Sequence, residues 1–303
     1  FSDEERAAVG TCYKQEGRGA AVHLGLNLTG PKLGWLADQL EQLRGGDPPR
    51  IYCWRGGMRS ASIGWLAEQI DLNPKILQGG YKAYRRWAQA LFDLTWPLRL
   101  MGGRTGTGKT DLLLALERRG IAILDLEGMA NHRGSSFGGL GLPAQPTTEH
   151  YENKLAEALD RQRLKQAPEI WVEAESIQVG CCRIPKGLFD QMKTAPVLEI
   201  QRSLDERVQQ LVGVYGHQGA EGLAEATRRI SRRLGPQRTK EALDAIGRGD
   251  WATACRATLD YYDHCYDREM ARTSRRQSVD LSGTTAAAAA ERLICHGLIV
   301  VDD

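Results

Sequence analysis

One short run of residues constrains the fold of this chain more than any other feature. Gly103–Thr110 reads GRTGTGKT and fits the pattern G-x-x-x-x-G-K-[ST] without a mismatch. It follows a predicted strand, Leu98–Met101, and precedes a predicted helix that contains Leu112 and Leu116. In this pattern the glycines let backbone N–H groups turn toward a phosphate, and the helix N-terminus adds partial positive charge. The sequence therefore predicts a phosphate-binding loop (P-loop) between a strand and a helix.

Every residue of the P-loop is a candidate ligand for a phosphorylated compound. Lys109 is expected to reach the terminal phosphate, and the Thr110 hydroxyl is a candidate ligand for Mg²⁺. The residues that we assign to phosphate or diphosphate binding are Gly103, Arg104, Thr105, Gly106, Thr107, Gly108, Lys109 and Thr110. Four carboxylates near the ends of later strands are alternatives for holding the metal: Asp125, Glu127, Glu173 and Glu175. Each of them is also readable as a helix cap or a solvated acid.

The chain of 303 residues is long enough for two domains. The break at Thr95–Pro97 separates domain 1–96 from domain 97–303. In the second domain, further predicted strands alternate with helices before a mostly helical stretch from Leu204 to about Met270. These strands are Ile121–Leu126, Ile170–Val172 and Val197–Ile200. This alternation predicts an α/β fold whose parallel sheet is covered by helices on both faces.

A second pattern with chemical meaning lies in the first domain. Cys53 follows a short predicted strand, Arg50–Tyr52, and five residues separate it from Arg59 in the run CWRGGMRS. A helix is predicted after this loop, from Ala61 to about Ile70. Loop amides, Arg55, Arg59 and the N-terminus of the next helix are all expected to favour the thiolate over the thiol. The same loop would accept a tetrahedral anion beside the sulfur. Two chemistries use such a loop: rhodanese-type transfer through a persulfide or its selenium analogue, and cysteine-dependent phosphatase chemistry.

Composition and spacing exclude several classes of protein. The seven cysteines are an odd number without paired zinc-finger spacing, which argues for reduced thiols in a cytoplasm rather than a disulfide framework. The six histidines have no metal-binding spacing, so we expect no zinc and assign no metal-site residues apart from the Mg²⁺ candidates at the P-loop. No apolar run approaches the roughly 18 residues that a membrane helix needs, so we expect no membrane association.

The charge of the chain is concentrated in one segment. The formal net charge is +2, yet residues 227–240 hold six basic side chains and no acidic one. In a helix, four of these arginines share one face while Ile230 and Leu234 lie opposite. We therefore expect contact with a polyanion through Arg228, Arg229, Arg232, Arg233 and Arg238. A solvated basic helix face is the alternative interpretation.

A cysteine loop followed in one chain by a P-loop resembles the bacterial tRNA 2-selenouridine synthases. The likeness extends over nearly the whole chain, and the block that begins at Asp125 is its most specific part. The matching blocks are Glu5–Gln15, Cys53–Ser60, Gly79–Ala83, Gly103–Thr110, Asp125–Gly128 with His132–Gly138, Arg232–Gly235, and Tyr261–Asp263 with Tyr266.

The resemblance implies an N-terminal rhodanese-like α/β domain and a P-loop NTPase-like domain with a helical C-terminal part. It also implies an enzyme that replaces sulfur by selenium in wobble 2-thiouridine of tRNA, with selenophosphate as donor and geranyl diphosphate activating the sulfur through an S-geranyl intermediate. Cys53 matches the cysteine that carries the chalcogen. His132 and Arg133 become further candidates for tRNA contact, and an enzyme that supplies selenophosphate becomes a candidate partner.

One departure from the family concerns the start of the chain. The family's rhodanese domain begins with a further strand and helix, whereas this chain opens at Phe1. We therefore expect domain 1–96 to be incomplete.

Two other interpretations of the same residues remain. One is a cysteine phosphatase or sulfurtransferase fused to a P-loop nucleotide-binding domain. The other is a nucleotide-gated binding module with a non-catalytic rhodanese part, against which the intact Cys53, Arg59 and Lys109 argue. Within the P-loop itself, the residues do not distinguish geranyl diphosphate from a nucleotide.

Overall fold

The computed structural model describes residues 1–271 and 275–300. The chain forms two compact units, Phe1–Trp87 and Ala88–Asp303. The division falls inside one helix, which begins at Gly80 and contributes Leu91 to the core of the second unit. Trp96, in the break from which we predicted the domain boundary, is buried in that same core.

The first unit combines helices with a short parallel sheet. Its strands β1 (Arg50–Ile51) and β2 (Lys75–Ile76) pair in parallel, with Arg50 opposite Lys75. Besides a 3-10 turn, its helices are α1 (Asp3–Gln15), α2 (Arg18–Thr29), α3 (Leu33–Gln42), α4 (Met58–Gln69) and α5 (Gly80–Leu91). Because parallel neighbours need a crossover, α4 connects β1 to β2.

The start of α4 differs from the sequence-based prediction. We predicted a helix from Ala61, but α4 begins at Met58, directly after Gly57. Arg59 and Ser60 therefore belong to the first turn of the helix and not to the loop before it.

The second unit is built on a parallel sheet. Its strands are β3 (Leu98–Gly103), β4 (Ile123–Leu124), β5 (Ile170–Glu173), β6 (Gln178–Val179), β7 (Cys182–Arg183), β8 (Val197–Gln201) and β9 (Arg276–Asp280). Five of them form one sheet in the order β4-β5-β3-β8-β9, and every neighbouring pair is parallel. The remaining two, β6 and β7, form a separate antiparallel hairpin. The central position of β3 places the residues after Gly103 in the middle of the carboxyl edge.

Helices cover both faces of this sheet. The helices of the second unit are α6 (Lys109–Glu117), α7 (Leu126–Ala130), α8 (Thr148–Leu164), α9 (Lys186–Met192), α10 (Leu204–Tyr215), α11 (Ala220–Leu234), α12 (Pro236–Gly247), α13 (Trp251–Met270) and α14 (Ala286–Cys295). Residues of α11, α12 and the start of α13 form a separate apolar cluster. Leu98 and Leu100 pack in one core with residues of α8 and α9, whereas Met101 packs in a second core with residues of α6 and α14. This alternation follows from the two-residue period of a strand. The predicted α/β fold with a parallel sheet is confirmed.

In the part of the chain that the structure describes, none of the helices is long and apolar enough to cross a membrane.

Candidate functional site

The cysteine loop lies at the carboxyl end of the sheet in the first unit. Cys53 follows β1, and the residues that begin α5 follow β2. The Tyr81 N–H donates a hydrogen bond to the Cys53 carbonyl oxygen (2.9 Å), and the Lys82 N–H donates one to the Trp54 carbonyl oxygen (3.0 Å). The start of α5 therefore holds the backbone of the cysteine loop in place.

Glycine is required where these two segments touch. Gly56 and Gly80 both have positive φ angles, of 65° and 59°. A Cβ atom on Gly80 would lie 2.1 Å from the Cys53 carbonyl oxygen, and one on Gly56 would lie 2.6 Å from the Gly79 nitrogen. Since real Cβ atoms do not approach backbone so closely, a side chain at either position would push the two loops apart.

The Cys53 thiol is surrounded by hydrogen-bond donors. The Gly57 N–H donates to Sγ over 3.3 Å, and the Ser60 hydroxyl oxygen lies 3.3 Å from Sγ. Burial acts against the thiolate, but hydrogen bonds from the Ser60 hydroxyl and from the Ser60, Arg55 and Gly57 amides outweigh it. Together these contacts lower the pKa of Cys53 to about 6. The sulfur is therefore ionised and nucleophilic at neutral pH.

The arginines act differently from the expectation drawn from the sequence. Arg55 contributes through its backbone amide, and both Arg55 and Arg59 have exposed side chains. The strongest stabilisation of the thiolate comes instead from Ser60, a residue to which the sequence analysis assigns no role. In the sequence, this role is indicated by a hydroxyl side chain that directly follows Arg59 at the start of a helix.

The P-loop lies where the sequence placed it, between β3 and α6. The Lys109 ammonium donates a hydrogen bond to the Gly103 carbonyl oxygen (2.9 Å). Two arginines hold the loop through its carbonyl oxygens: Arg207 Nε donates to Thr105 (2.8 Å) and Arg202 Nε donates to Thr107 (3.0 Å). These contacts use the carbonyl side of the loop, and within the loop the Thr107 N–H donates a hydrogen bond to the Arg104 carbonyl oxygen (3.2 Å).

Arg104, which we predicted as a phosphate ligand, is engaged with α13. Its guanidinium makes two hydrogen bonds to the Asp267 carboxylate, of 3.0 and 2.7 Å. The buried Arg207 pairs with Asp263, one helical turn earlier on α13. The loop is thus supported by Arg202, Arg207 and the two aspartates. Spacing in the sequence does not indicate this support, because these residues lie about a hundred positions or more from the loop.

Two of the four candidate carboxylates lie next to the Thr110 hydroxyl. The Thr110 hydroxyl lies 2.7 Å from Glu173 Oε1 and 3.1 Å from Glu127 Oε2. Asp125 instead caps α7 by accepting a hydrogen bond from the Gly128 N–H (2.8 Å). Glu175 interacts with Glu127, whose pKa is raised by burial and by the Glu175 charge. Glu127 and Glu173 are therefore the acids next to Thr110.

Glu173 combines complete burial with a carboxylate oxygen, Oε2, that lacks a hydrogen-bond partner. Burial, followed by the charges of Glu127 and Asp125, raises the pKa of Glu173 to about 8. Two carboxylates and a hydroxyl are the hard oxygen donors that Mg²⁺ prefers, so these residues fit that ion. Within residues 1–271 and 275–300, no cluster of three or more His, Cys, Asp and Glu side chains able to hold a metal occurs.

An apolar pocket adjoins the P-loop at Thr105. Helices α10 to α13 and the segment before α8 form its walls, and the lining side chains include Phe137, Leu211, Tyr215, Ile246, Trp251 and Leu259. The cavity volume is about 60 Å³. The P-loop and an apolar pocket therefore share one edge of the second unit.

The predicted basic stripe forms on α11. Its four arginines (Arg228, Arg229, Arg232 and Arg233) are exposed, whereas Ile230 and Leu234 are buried, as the helical period requires. Arg229 also donates a hydrogen bond to the Ser136 carbonyl oxygen (3.1 Å). Arg238 lies on α12 and forms an ion pair with Asp260 of α13.

His132 and Arg133 are less accessible than the stripe. The Arg133 guanidinium lies 5.6 Å from the centre of the Tyr215 ring and donates a hydrogen bond to the Leu140 carbonyl oxygen (3.1 Å). Burial, together with the charges of Arg229 and Arg133, lowers the pKa of His132. Both residues contribute to the packing of this loop, and their contact with tRNA stays a prediction.

Comparison with known proteins identifies the family. The model of the tRNA 2-selenouridine synthase AAA domain matches residues 96–292, about two thirds of the chain. The tRNA 2-selenouridine synthase of Aeromonas salmonicida is 38% identical over 80% of this chain and 70% of that protein. The one from Pseudomonas fluorescens is 35% identical over 95% of this chain and 86% of that protein. On this evidence, the chain belongs to the tRNA 2-selenouridine synthase family.

Proposed function

We propose that this chain replaces the sulfur of wobble 2-thiouridine in tRNA by selenium, and that the Cys53 thiolate is the nucleophile that delivers the selenium. The thiolate attacks the phosphorus of selenophosphate and releases selenide, the selenide displaces geranylthiolate from C2 of the S-geranyl uridine, and water hydrolyses the S-phosphocysteine to phosphate and the free thiol. One observation carries the proposal: the pKa of Cys53 is lowered to about 6 in a chain whose relatives are named tRNA 2-selenouridine synthases. A thiolate at neutral pH is the form of cysteine that acts as a nucleophile.

The surroundings of Cys53 suit selenophosphate as the donor. This anion is the size of phosphate, and the exposed Arg55 and Arg59 lie on either side of the Gly56-Gly57 turn. Two guanidinium groups favour binding of such an anion beside the sulfur. Strand β1, the cysteine loop, α4 and β2 support the assignment of residues 1–96 as a rhodanese-like chalcogen-transfer domain. A selenophosphate-supplying enzyme is the corresponding proposed partner.

The P-loop is proposed to hold the diphosphate of geranyl diphosphate, which activates the sulfur as an S-geranyl intermediate. The apolar pocket at Thr105 favours an isoprenoid chain over a nucleotide, because a nucleobase needs polar partners. The pocket of about 60 Å³ is smaller than the roughly 150 Å³ cavity that accommodates benzene. Lining side chains such as Trp251 must therefore move when the chain enters.

Mg²⁺ would be held by Thr110, Glu173 and Glu127 in this proposal. The bound ion would neutralise charge that builds up on the departing diphosphate. Lys109 would supply a further positive charge at the same group. The orphaned Oε2 atom of the buried Glu173 supports this assignment.

The basic stripe on α11 is the proposed tRNA contact in the second unit. Its arginines point outward from a helix whose opposite face is anchored by Ile230 and Leu234. Basic side chains on one face suit the phosphate backbone of an RNA.

Reconstitution tests the proposed reaction. A tRNA with wobble 2-thiouridine is incubated with the protein, selenophosphate and geranyl diphosphate, and its nucleosides are identified by mass spectrometry. We expect 2-selenouridine with both co-substrates, the S-geranyl nucleoside without selenophosphate, and unchanged 2-thiouridine without geranyl diphosphate. Selenouridine formed without geranyl diphosphate would contradict the geranyl step, and no selenouridine under any condition would contradict the proposed function.

A further inference from the structure

A row of aromatic rings runs beside the Cys53 loop, and no step of the proposed reaction uses it. The Trp54 ring centre lies 5.4 Å from that of Tyr81, and Tyr52 lies 6.4 Å from the same ring. Along α5 the row continues from Tyr81 to Tyr84 (5.8 Å) and from Tyr84 to Trp87 (5.3 Å). We name these five side chains the aromatic row.

The aromatic row is not part of a hydrophobic core. Trp54 is 49% exposed and Tyr52 is 63% exposed. Tyr81, Tyr84 and Trp87 recur every three residues along α5, which places them on one face of that helix. Tyr81 and Tyr84 are half-buried, whereas Tyr52, Trp54 and Trp87 are exposed. Large aromatic side chains usually gain free energy by burial, so a contiguous row with three exposed rings next to a reactive thiol indicates a surface that binds a ligand.

The charges around the row indicate what kind of ligand binds. Residues 52–67 and 77–87 contain the whole aromatic row and carry five basic side chains and no acidic one. Three of the basic side chains (Lys82, Arg85 and Arg86) alternate with the rings along α5. Aromatic rings interleaved with basic side chains are the pattern that binds unpaired nucleic acid, in which the bases stack on the rings and phosphates lie near the cations.

We propose that the aromatic row stacks unpaired bases of the tRNA anticodon loop, with Trp54 stacking the base nearest to Cys53. This inference rests on the proposed function, which requires the wobble base to bring its sulfur close to the Cys53 sulfur. Trp54 is adjacent to Cys53 in the chain, and its backbone is fixed by the hydrogen bond from the Lys82 N–H. A base held against this ring would present its edge, where the sulfur is, to the loop. An alkyl chain would use the rings but would make no use of the positive charges of Lys82 and Arg86 on α5.

The test compares RNA binding by matched tryptophan variants. An anticodon stem-loop with wobble 2-thiouridine is the probe, and its dissociation constant is measured by fluorescence anisotropy at several salt concentrations. Stacking of one base on an aromatic side chain corresponds to about 5-fold to 150-fold in affinity, so Trp54→Ala should weaken binding within that range. Trp54→Phe should keep most of the affinity because it keeps a ring. Trp65→Ala is the control, since Trp65 is 54% exposed on α4 and does not belong to the aromatic row.

Stacking also predicts a specific salt dependence. Because no cation is removed, Trp54→Ala should leave the slope of log K against log salt unchanged. The pH profile of Cys53 alkylation should also stay at its wild-type midpoint, which shows that the loop is intact. Wild-type affinity for the stem-loop in Trp54→Ala, or equal losses in Trp54→Ala and Trp65→Ala, would overturn the inference. Failure of the proposed function is a separate result, because it would show as no selenouridine from the wild-type protein.

Discussion

Replacing Ser60 with alanine removes the hydroxyl that lies 3.3 Å from the Cys53 sulfur. Burial alone would raise the pKa of Cys53, and the Ser60 hydroxyl is the strongest of the contacts that lower it to about 6. A hydrogen bond to a charged group contributes about 1.5 to 3 kcal/mol, and one pKa unit corresponds to about 1.4 kcal/mol. We therefore expect Ser60→Ala to raise the pKa of Cys53 by about one to two units.

The assay is the rate of Cys53 alkylation by iodoacetamide across a pH range that brackets about 6 and 9.0, the lowered and ordinary pKa values. Peptide mass spectrometry separates Cys53 from the other six cysteines. The midpoint of the profile is the quantity to compare, because a thiolate of higher pKa is also a stronger nucleophile and partly offsets the loss at any single pH.

Ser62→Ala provides the matched control, since Ser62 is an exposed serine of the same helix. Its midpoint should equal that of the wild type. A Ser60→Ala midpoint that also equals the wild-type value would contradict this role of the Ser60 hydroxyl, because it would mean that the loop amides alone stabilise the thiolate.

Three further predictions concern the second unit. Lys109→Ala should weaken binding of inorganic diphosphate about 10-fold to 100-fold in calorimetry, because a charge-assisted hydrogen bond is lost; unchanged affinity would contradict the role of Lys109. Arg232→Ala combined with Arg233→Ala should weaken tRNA binding and reduce its salt slope by about one to two, and an unchanged slope would identify the stripe as a solvated face. Glu173 has a pKa of about 8 in place of 4.5, so the native protein retains a proton that the unfolded chain releases, and stability falls as pH rises through that interval. Without added Mg²⁺, Glu173→Gln should therefore raise the Tm more above about pH 8 than below pH 4.5, and an equal effect at both would argue against a buried acid.

Local patterns in the sequence were sufficient for the P-loop and for α11. A strand, a glycine-rich turn and a helix follow one another within twenty residues, so no distant contact is needed to place Lys109. The exposed Arg232 and the buried Ile230 and Leu234 follow the helical period directly. By contrast, β9 (Arg276–Asp280) was missed because it is mostly polar and exposed, and only its pairing with β8 makes it a strand.

The sequence does not predict which acid lies next to Thr110 or which side chains support the P-loop, because both depend on contacts between distant residues. From the sequence alone, the four candidate acids are equally suitable partners of Thr110. The sheet order distinguishes them, because β5 lies beside β3 and brings Glu173 next to the P-loop. Arg207 contacts Thr105, which lies 102 positions away in the sequence, and Asp263, which lies 56 positions away. Such pairs leave no signal in a single sequence, because periodicity and spacing report only on neighbours along the chain.

In the proposed reaction, the cysteine loop and the P-loop perform different steps. The most direct measurement is the nucleoside composition of 2-thiouridine tRNA after incubation of variants with selenophosphate and geranyl diphosphate. Cys53→Ser should accumulate the S-geranyl nucleoside without selenouridine. Lys109→Ala should need more geranyl diphosphate and leave most of the 2-thiouridine unconverted at a concentration that just saturates the wild type. Cys295→Ser, which alters an exposed cysteine of α14, should form selenouridine like the wild type. Selenouridine at the wild-type level in Cys53→Ser, or an S-geranyl product at the wild-type level in Lys109→Ala, would contradict this division of roles.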